Sequence, residues 1–438
     1  MQKYKFSNYG GLLSFLFTLL CWAGISTVVI SFDLMPRIWD SGSGYDTIAK
    51  NILNNGMYSS DGKTFTSFRP PSYPIFLAAI MSIFGDSWRI ATIIFQIIFG
   101  ALCAFFVFRI GGNMFESKFA PVASVVFFAL NPLFIGEALN IRETTLFSLI
   151  VLGFFYFVSK GNIQLSDFIV AAIFAGLSYL TRPTGILLIV TFFFCIYMRD
   201  VSDIKDVFVI LVLLVLVIFP WRYKIFIENG YLGLSSSTTG GLNIYKGNNP
   251  VYVNTYPWVD VDKQTGIIKE NINLEGKTYS VSGNEMLKKK AIKYIVNNPV
   301  TFARGTIIKT VSLYSPIMVP VGNGKIVKEG GSYSINNFKA PNRPPVVLIS
   351  SSLYTSFLII CFIGFISLYI ANEIHSQDEL LILIFTFILL VTLLYAVTFA
   401  ETRFRLPLDP FLCLFSGRYF SHLLDTYIPP SAPRRRGN

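Results

Sequence analysis

The feature that most limits what this chain can fold into is a recurring stretch of about 20 nearly uncharged residues, the length a helix needs to cross a hydrocarbon core. The first, GLLSFLFTLLCWAGISTVVISF, follows Lys3 and Lys5 and has no small-residue cleavage site of the A-x-A type behind it, so it reads as a retained helix with its N-terminus inside. Further runs lie at about 88–109, 118–135, 144–159, 166–181, 184–198, 207–221, 345–370, 379–399 and 406–417, giving about ten spans. Only 14% of the residues are charged and 53% are hydrophobic, where a soluble domain has roughly a quarter charged. This pattern predicts an all-α polytopic membrane protein.

The stretch PSYPIFLAAIMSIFG, residues 71–85, has about a dozen apolar residues, too few to cross and enough for an interfacial or re-entrant helix. Left uncrossed, it sets a parity that puts Arg109, Lys118, Lys160, Arg199, Lys205 and the terminal Arg434, Arg435 and Arg436 on the side of Lys3 and Lys5, as the positive-inside tendency requires. The same parity gathers residues 33–87, GEALNIRE, TRPTG, residues 222–344 and ETRFR on the outside. The predicted organisation is an N-terminal transmembrane module over 1–221, an external soluble domain of mixed structure over 222–344, C-terminal spans over 345–420 and a cytoplasmic tail over 421–438. The cations behind the net charge of +11 are scattered, and the tight cluster Arg434, Arg435 and Arg436 reads as a cytoplasmic topology signal rather than a nucleic-acid site.

The five cysteines sit inside apolar runs and read as packing residues, and there are only two histidines, His375 and His422. Chemistry here therefore has to rest on carboxylates and cations. In WDSGSGYDTIAKNILNNG, Tyr45, Ile48, Ala49, Ile52 and Leu53 repeat at the spacing of one helical face, predicting an amphipathic helix on the membrane. Asp46 has Lys50 four residues on, a favourable surface pair that accounts for it without chemistry. Asp40 precedes the turn SGSG and has no clear capping role, which leaves it as the better candidate for a base. Arg69, Arg182, Arg403 and Arg405 stand at proline-marked helix ends on the same side, where lipid headgroups are one reading and a phosphate is the other. Glu143 opens an apolar run, suiting a helix cap, an acceptor-orienting acid or a ligand for a divalent cation. Asn243, Tyr245, Asn248 and Asn249 in NIYKGNNP read as a turn or as sugar-binding groups.

YDTIAKNIL after an acid, then RPPSYPIFLA, RETTLF, AGLSYLTRPTG, a PW before the long loop, NIYKGNNP and RFRLPLDP follow one another in an order that resembles the GT-C membrane glycosyltransferases. The likeness is to the bacterial branch related to protein O-mannosyltransferases and the lipid A aminoarabinose transferase. It implies a GT-C bundle with juxtamembrane helices in the first outer loop. It also implies transfer of a sugar from a polyprenyl-phosphate donor to a glycan, lipid or protein acceptor at the outer face of the cytoplasmic membrane. By resemblance Asp40 is the catalytic acid ahead of Tyr45, Arg69 contacts the donor phosphate and Glu143 is the acid of the second outer loop, with Tyr45 and Tyr73 beside the substrate. The family's acid lies about one residue nearer its tyrosine, so Asp46 stays a second candidate. No cofactor is required by this chemistry; Mg²⁺ or Mn²⁺ bridging Asp40 and Glu143 is one further option.

A transporter or flippase would place ionisable residues near the middle of its spans, whereas Arg89, Arg109 and Asp167 sit at run ends. A lipid-linked glycan polymerase or ligase is the nearer alternative, and the ordered motifs argue against it.

Overall fold

The computed structural model describes residues 8–31, 44–199, 203–259, 280–330, 332–339, 345–373 and 378–427. Asp40, His375 and the terminal arginines lie outside the described residues. The chain is almost wholly helical. α1 (Asn8–Ser31) packs along α4 (Trp88–Met114), and between them come α2 (Tyr45–Asn55) and α3 (Ser72–Phe84). At 13 residues α3 spans only about 20 Å. It turns back on α4, because Tyr73 reaches Gln96 and Phe76 packs on Phe95 and Phe99. The reversal is made at Gly85, whose φ of +51° favours a residue without Cβ.

α5 (Ala120–Ala129) and α6 (Pro132–Ala138) form a bent pair, turned by 55°. Pro132 lacks an N–H and the Leu133 N–H is diverted to Asn131 Oδ1, so carbonyls at the end of α5 are left open. Trp22 of α1, fully buried, donates its indole N–H to one of them, Ala129 O, at 2.9 Å. Asn131 caps α6 from Oδ1 and donates from Nδ2 to Asp409 at 3.0 Å. The polar groups freed by the break are thus satisfied inside the protein, the condition for non-helical backbone at membrane depth.

α7 (Thr144–Val158), α8 (Leu165–Thr181) and α9 (Ile186–Met198) follow, then α10 (Ile204–Asn229). α8 packs on α7 and α10 with Ala171, Ala175 and Gly176 in its buried face. Small residues let membrane helices approach where apolar burial cannot drive them together. The middle segment carries α11 (Gly240–Lys246), α12 (Tyr252–Thr255), α13 (Val281–Asn297), α14 (Pro299–Leu313) and an antiparallel hairpin of β1 (Asn323–Glu329) with β2 (Ser332–Lys339). α15 (Pro345–Ile370), α16 (Asp378–Val397) and α17 (Asp409–Tyr427) complete the chain, with a 3₁₀ segment, Thr402–Leu408, leading into α17. α10 runs eight residues past the boundary predicted at 221 and α17 seven past that at 420.

Among the described residues, five helical stretches are long and apolar enough to cross a membrane, or six if the bent pair is one span. Ten is reached only if α7, α8, α9 and α17 cross as well. α7, α8 and α9 fall short because the chain leaves the helix at Arg142–Glu143 and Arg182–Pro183 to build a cavity instead.

Candidate active site

A cavity of about 890 Å³ lies where the first loop, the starts of α7 and α9, the α10–α11 connection, the end of α16 and the 3₁₀ segment meet. Its walls bring together Tyr45, Arg69, Glu143, Arg182, Asn243 and Arg403, which are far apart in sequence. The segments that parity assigns to one side therefore do meet in space.

Each cation is placed by local backbone chemistry. Arg182 precedes Pro183, which disfavours helical geometry at the residue before it; α8 ends at Thr181 and Arg182 is extended at φ −147°, ψ 139°. Gly185 is required just beyond, since a Cβ there would sit 2.2 Å from the Ser178 carbonyl. Arg69 precedes two prolines, and the Tyr58 hydroxyl reaches its carbonyl and that of Pro70, both at 3.0 Å. The guanidinium lies over Tyr45 and Phe68, 4.8 and 4.3 Å from the ring centroids. The loop is sewn to the opposite wall by Thr238 N–H to Ser67 O at 2.9 Å and by packing of Tyr58 on Trp221.

Arg182 donates from Nε to Glu143 Oε1 at 3.0 Å, and both side chains are nearly buried. Its Nη1 is buried and has no hydrogen-bond partner among the described residues. Burial alone would raise the Glu143 carboxyl, but Arg182 and then Arg69 outweigh it and hold the group down at about 2. Glu143 stands at the N-cap of α7 yet makes no capping bond, so the cap reading does not describe it. Burial and then the Glu143 carboxylate push the Tyr45 phenol above its ordinary value, keeping it a donor at neutral pH. Arg403 Nε lies 2.5 Å from Glu401 Oε2, an ion pair whose N–H is off-line for a hydrogen bond. Arg182 and Arg403 also flank the Phe404 ring, which stacks on Tyr395.

Several predicted residues stand elsewhere. Arg405 is 1% exposed, donating to Asp409 at 2.8 Å and reaching Ser315 O and Thr355. It joins the 3₁₀ segment to α17, and through Asn131 to the bent span, in place of lining the cavity. Tyr73 is buried and donates to Gln96, whose amide in turn holds Ala138 O and Asn140 O. It supports Tyr45 edge-on rather than touching the cavity. Asn248 donates to Ile244 O and Val397 O, and Asn249 bridges the end of α11 to the start of α12. With Tyr245 in an apolar cluster, these three are structural turn residues, and of the four candidates in that motif only Asn243 lines the cavity. Asp46 pairs with Lys50 at 3.5 Å and is absent from the cavity wall, although Tyr45, Thr47 and Ile48 line it.

Lys246 and Glu401 line the cavity and were not singled out from sequence. Both lie in motifs already noted, NIYKGNNP and ETRFR, and Glu401 begins the second of these. Ser235, Ser237 and Thr239 add a hydroxyl-bearing wall. Among the described residues, no three His, Cys, Asp or Glu side chains gather in a metal-binding group.

Residues 68–223 match the family model described as dolichyl-phosphate-mannose-protein mannosyltransferase. The matched stretch holds Arg69, Glu143 and Arg182 of the cavity, while Lys246, Glu401 and Arg403 fall beyond it. A search of curated proteins finds no match. Among solved structures, ArnT from Cupriavidus metallidurans bound to undecaprenyl phosphate is 13% identical, with 95% of this chain and 78% of that one covered and a TM-score of 0.38. ArnT in the apo state is 14% identical, with 91% and 76% covered and a TM-score of 0.39.

Proposed function

We propose that this protein is a glycosyltransferase that moves a single sugar, with inversion, from a polyprenyl-phosphate donor to an acceptor hydroxyl at the outer face of the cytoplasmic membrane. The observation that carries the reading is the convergence of Arg69, Arg182 and Arg403 on one cavity, with Arg182 Nη1 buried and unpartnered among the described residues. A guanidinium fork with an open N–H fits a phosphate oxygen.

In the reaction the acceptor oxygen bonds to the anomeric carbon as the carbon–oxygen bond to phosphate breaks, and the acceptor proton passes to a base. The donor phosphodiester carries one negative charge and the departing phosphomonoester two. Among the described lining residues four cations, Arg69, Arg182, Arg403 and Lys246, outnumber two acids, Glu143 and Glu401, an excess that favours the charge built up on the departing phosphate. Preorganised cations of this kind contribute about 10²- to 10³-fold each. No general acid is needed, because phosphate leaves as an anion, unlike the alcohol of a glycosidase.

Glu143, held near 2 by its arginines, is a weak base at neutral pH and is assigned to orienting Arg182. The base is assigned to Asp40, four residues before Gly44, which lines the cavity. The test compares Asp40→Asn and Asp46→Asn in the native host, scoring surface glycan together with the amount of protein in the membrane. Loss of glycan in Asp40→Asn alone supports the assignment, and full glycan in that variant overturns it.

A further inference from the structure

Between residues 222 and 344 the sequence holds sixteen Lys and Arg against seven Asp and Glu, so nine of the chain's eleven excess positive charges lie in this one segment. Long loops cross membranes largely regardless of charge, so this concentration is not a topology signal and calls for an anionic partner.

The way α14 sits on α16 identifies a surface for it. Lys309 Nζ, fully buried, reaches Val397 O at 3.2 Å and Thr398 O at 3.4 Å, while Tyr314 bonds Thr392 at 2.7 Å. Five residues forward on α14 match five or six residues back on α16, so the helices run antiparallel over a rise of about 7.5 Å. α14 therefore descends beside the last turns of a membrane span.

On the face opposite Lys309, Val300, Arg304, Ile307 and Val311 cluster within about 60° at 100° per residue. Val300 is 82% exposed, Ile307 and Val311 are each 66% exposed, and Arg304 is exposed between them. By the same rise Val311 and Ile307 bracket the end of the span, and Arg304 stands about 7 Å further out, at headgroup depth. α13, which leads into α14, buries Gly283, Asn284, Leu287 and Ala291. Its outer face presents Ile292 and Val296 flanked by Lys288, Lys289 and Lys293. Apolar side chains ringed by cations are the composition of an interfacial helix that binds anionic lipid.

We infer that α13 and α14 form a foot that docks on anionic lipid headgroups: Ile307 and Val311 enter the acyl edge, and Arg304 with the α13 lysines engages the headgroup charge. The foot carries α11, which packs on α13 through Gly241 N–H to Asn284 at 2.6 Å and supplies Asn243 and Lys246 to the cavity. This inference rests on the packing of α14 and stands apart from the sugar-transfer reading.

The test is hydrogen exchange of the full chain in nanodiscs of phosphatidylcholine alone or with phosphatidylglycerol, at low and high salt, beside the variant Lys288→Gln/Lys289→Gln/Lys293→Gln/Arg304→Gln. With phosphatidylglycerol at low salt, exchange over 286–311 slows by about tenfold or more, since each basic group at an anionic surface adds several-fold in occupancy. High salt and the variant both abolish the difference while exchange in α4 and α16 stays unchanged. Equal exchange in the two lipids overturns the inference. Protection by a soluble acidic polysaccharide without any by phosphatidylglycerol also overturns it, assigning the lysines to a glycan.

Discussion

The Arg182–Glu143 pair separates the energetics of holding the cavity from those of using it. Both side chains are about nine-tenths buried and meet at 3.0 Å. Arg182→Met leaves the Glu143 carboxylate desolvated with its nearest cation gone, and breaking a buried pair from one side costs about 3–5 kcal/mol. Glu143→Gln is milder, because the neutral amide still accepts from Nε and Arg69 remains nearby. In the double variant the stranded charge is gone, and stability returns to within about 2 kcal/mol of the parent, as when a buried pair is replaced by neutral groups. Activity divides differently. Arg182 meets the departing phosphate, so both variants that lack it transfer sugar about 10²- to 10³-fold more slowly, whether or not stability has recovered. The assay is thermal unfolding of the purified variants beside the transfer rate in host membranes, normalised to folded protein. A double variant that regains its rate with its stability would refute the phosphate role. Additive stability losses would refute the pairing, since coupled residues give non-additive cycles.

The depressed Glu143 carboxyl sets a pH window. A carboxyl lowered on folding contributes stability above its ordinary value near 4.5 that is lost as pH falls through about 2, so acid unfolding of Glu143→Gln has a shallower slope between those values than the parent. Arg405→Met strands Asp409 in the protein interior and lowers stability by about 3–5 kcal/mol, while the remaining folded protein keeps its transfer rate to within a few-fold in host membranes. Because arginines supply the positive charge around the phosphate, adding EDTA to washed host membranes leaves the transfer rate unchanged, and a loss restored by Mg²⁺ or Mn²⁺ would assign that charge to a metal. A reporter fused within the 222–344 segment reads as external, and a cytoplasmic reading would separate the outer-face proposal from the cavity.

How much of this was legible depends on whether a residue's role is local or long-range. The Asp46–Lys50 pair follows from i,i+4 spacing alone, and the structure contains it. Arg405 and Asp409 have the same spacing within RFRLPLD, but nothing local says that the pair is buried, and a proline-marked arginine looked like its neighbour Arg403. Asn248 and Asn249 were candidates for sugar binding because Asn-rich turns suit either use. Their side chains are instead taken up by backbone ends of α11, α12 and α16, which come together only in the fold. The gathering of Arg69, Glu143 and Arg182 was readable because topology parity needs only hydropathy and charge. Lys246 and Glu401 were hidden because their relevance depends on which way α11 and the 3₁₀ segment turn toward that group.

The central claim is that the arginine-lined cavity holds a polyprenyl phosphate. It is tested most directly by binding a labelled polyprenyl phosphate to the purified full chain and to Arg182→Met, with unlabelled polyprenyl phosphate and the phosphate-free polyprenol as competitors. Saturable binding that polyprenol fails to displace, weakened about tenfold or more in the variant, is the predicted result. Equal competition by polyprenol, or unchanged binding in Arg182→Met, would contradict it.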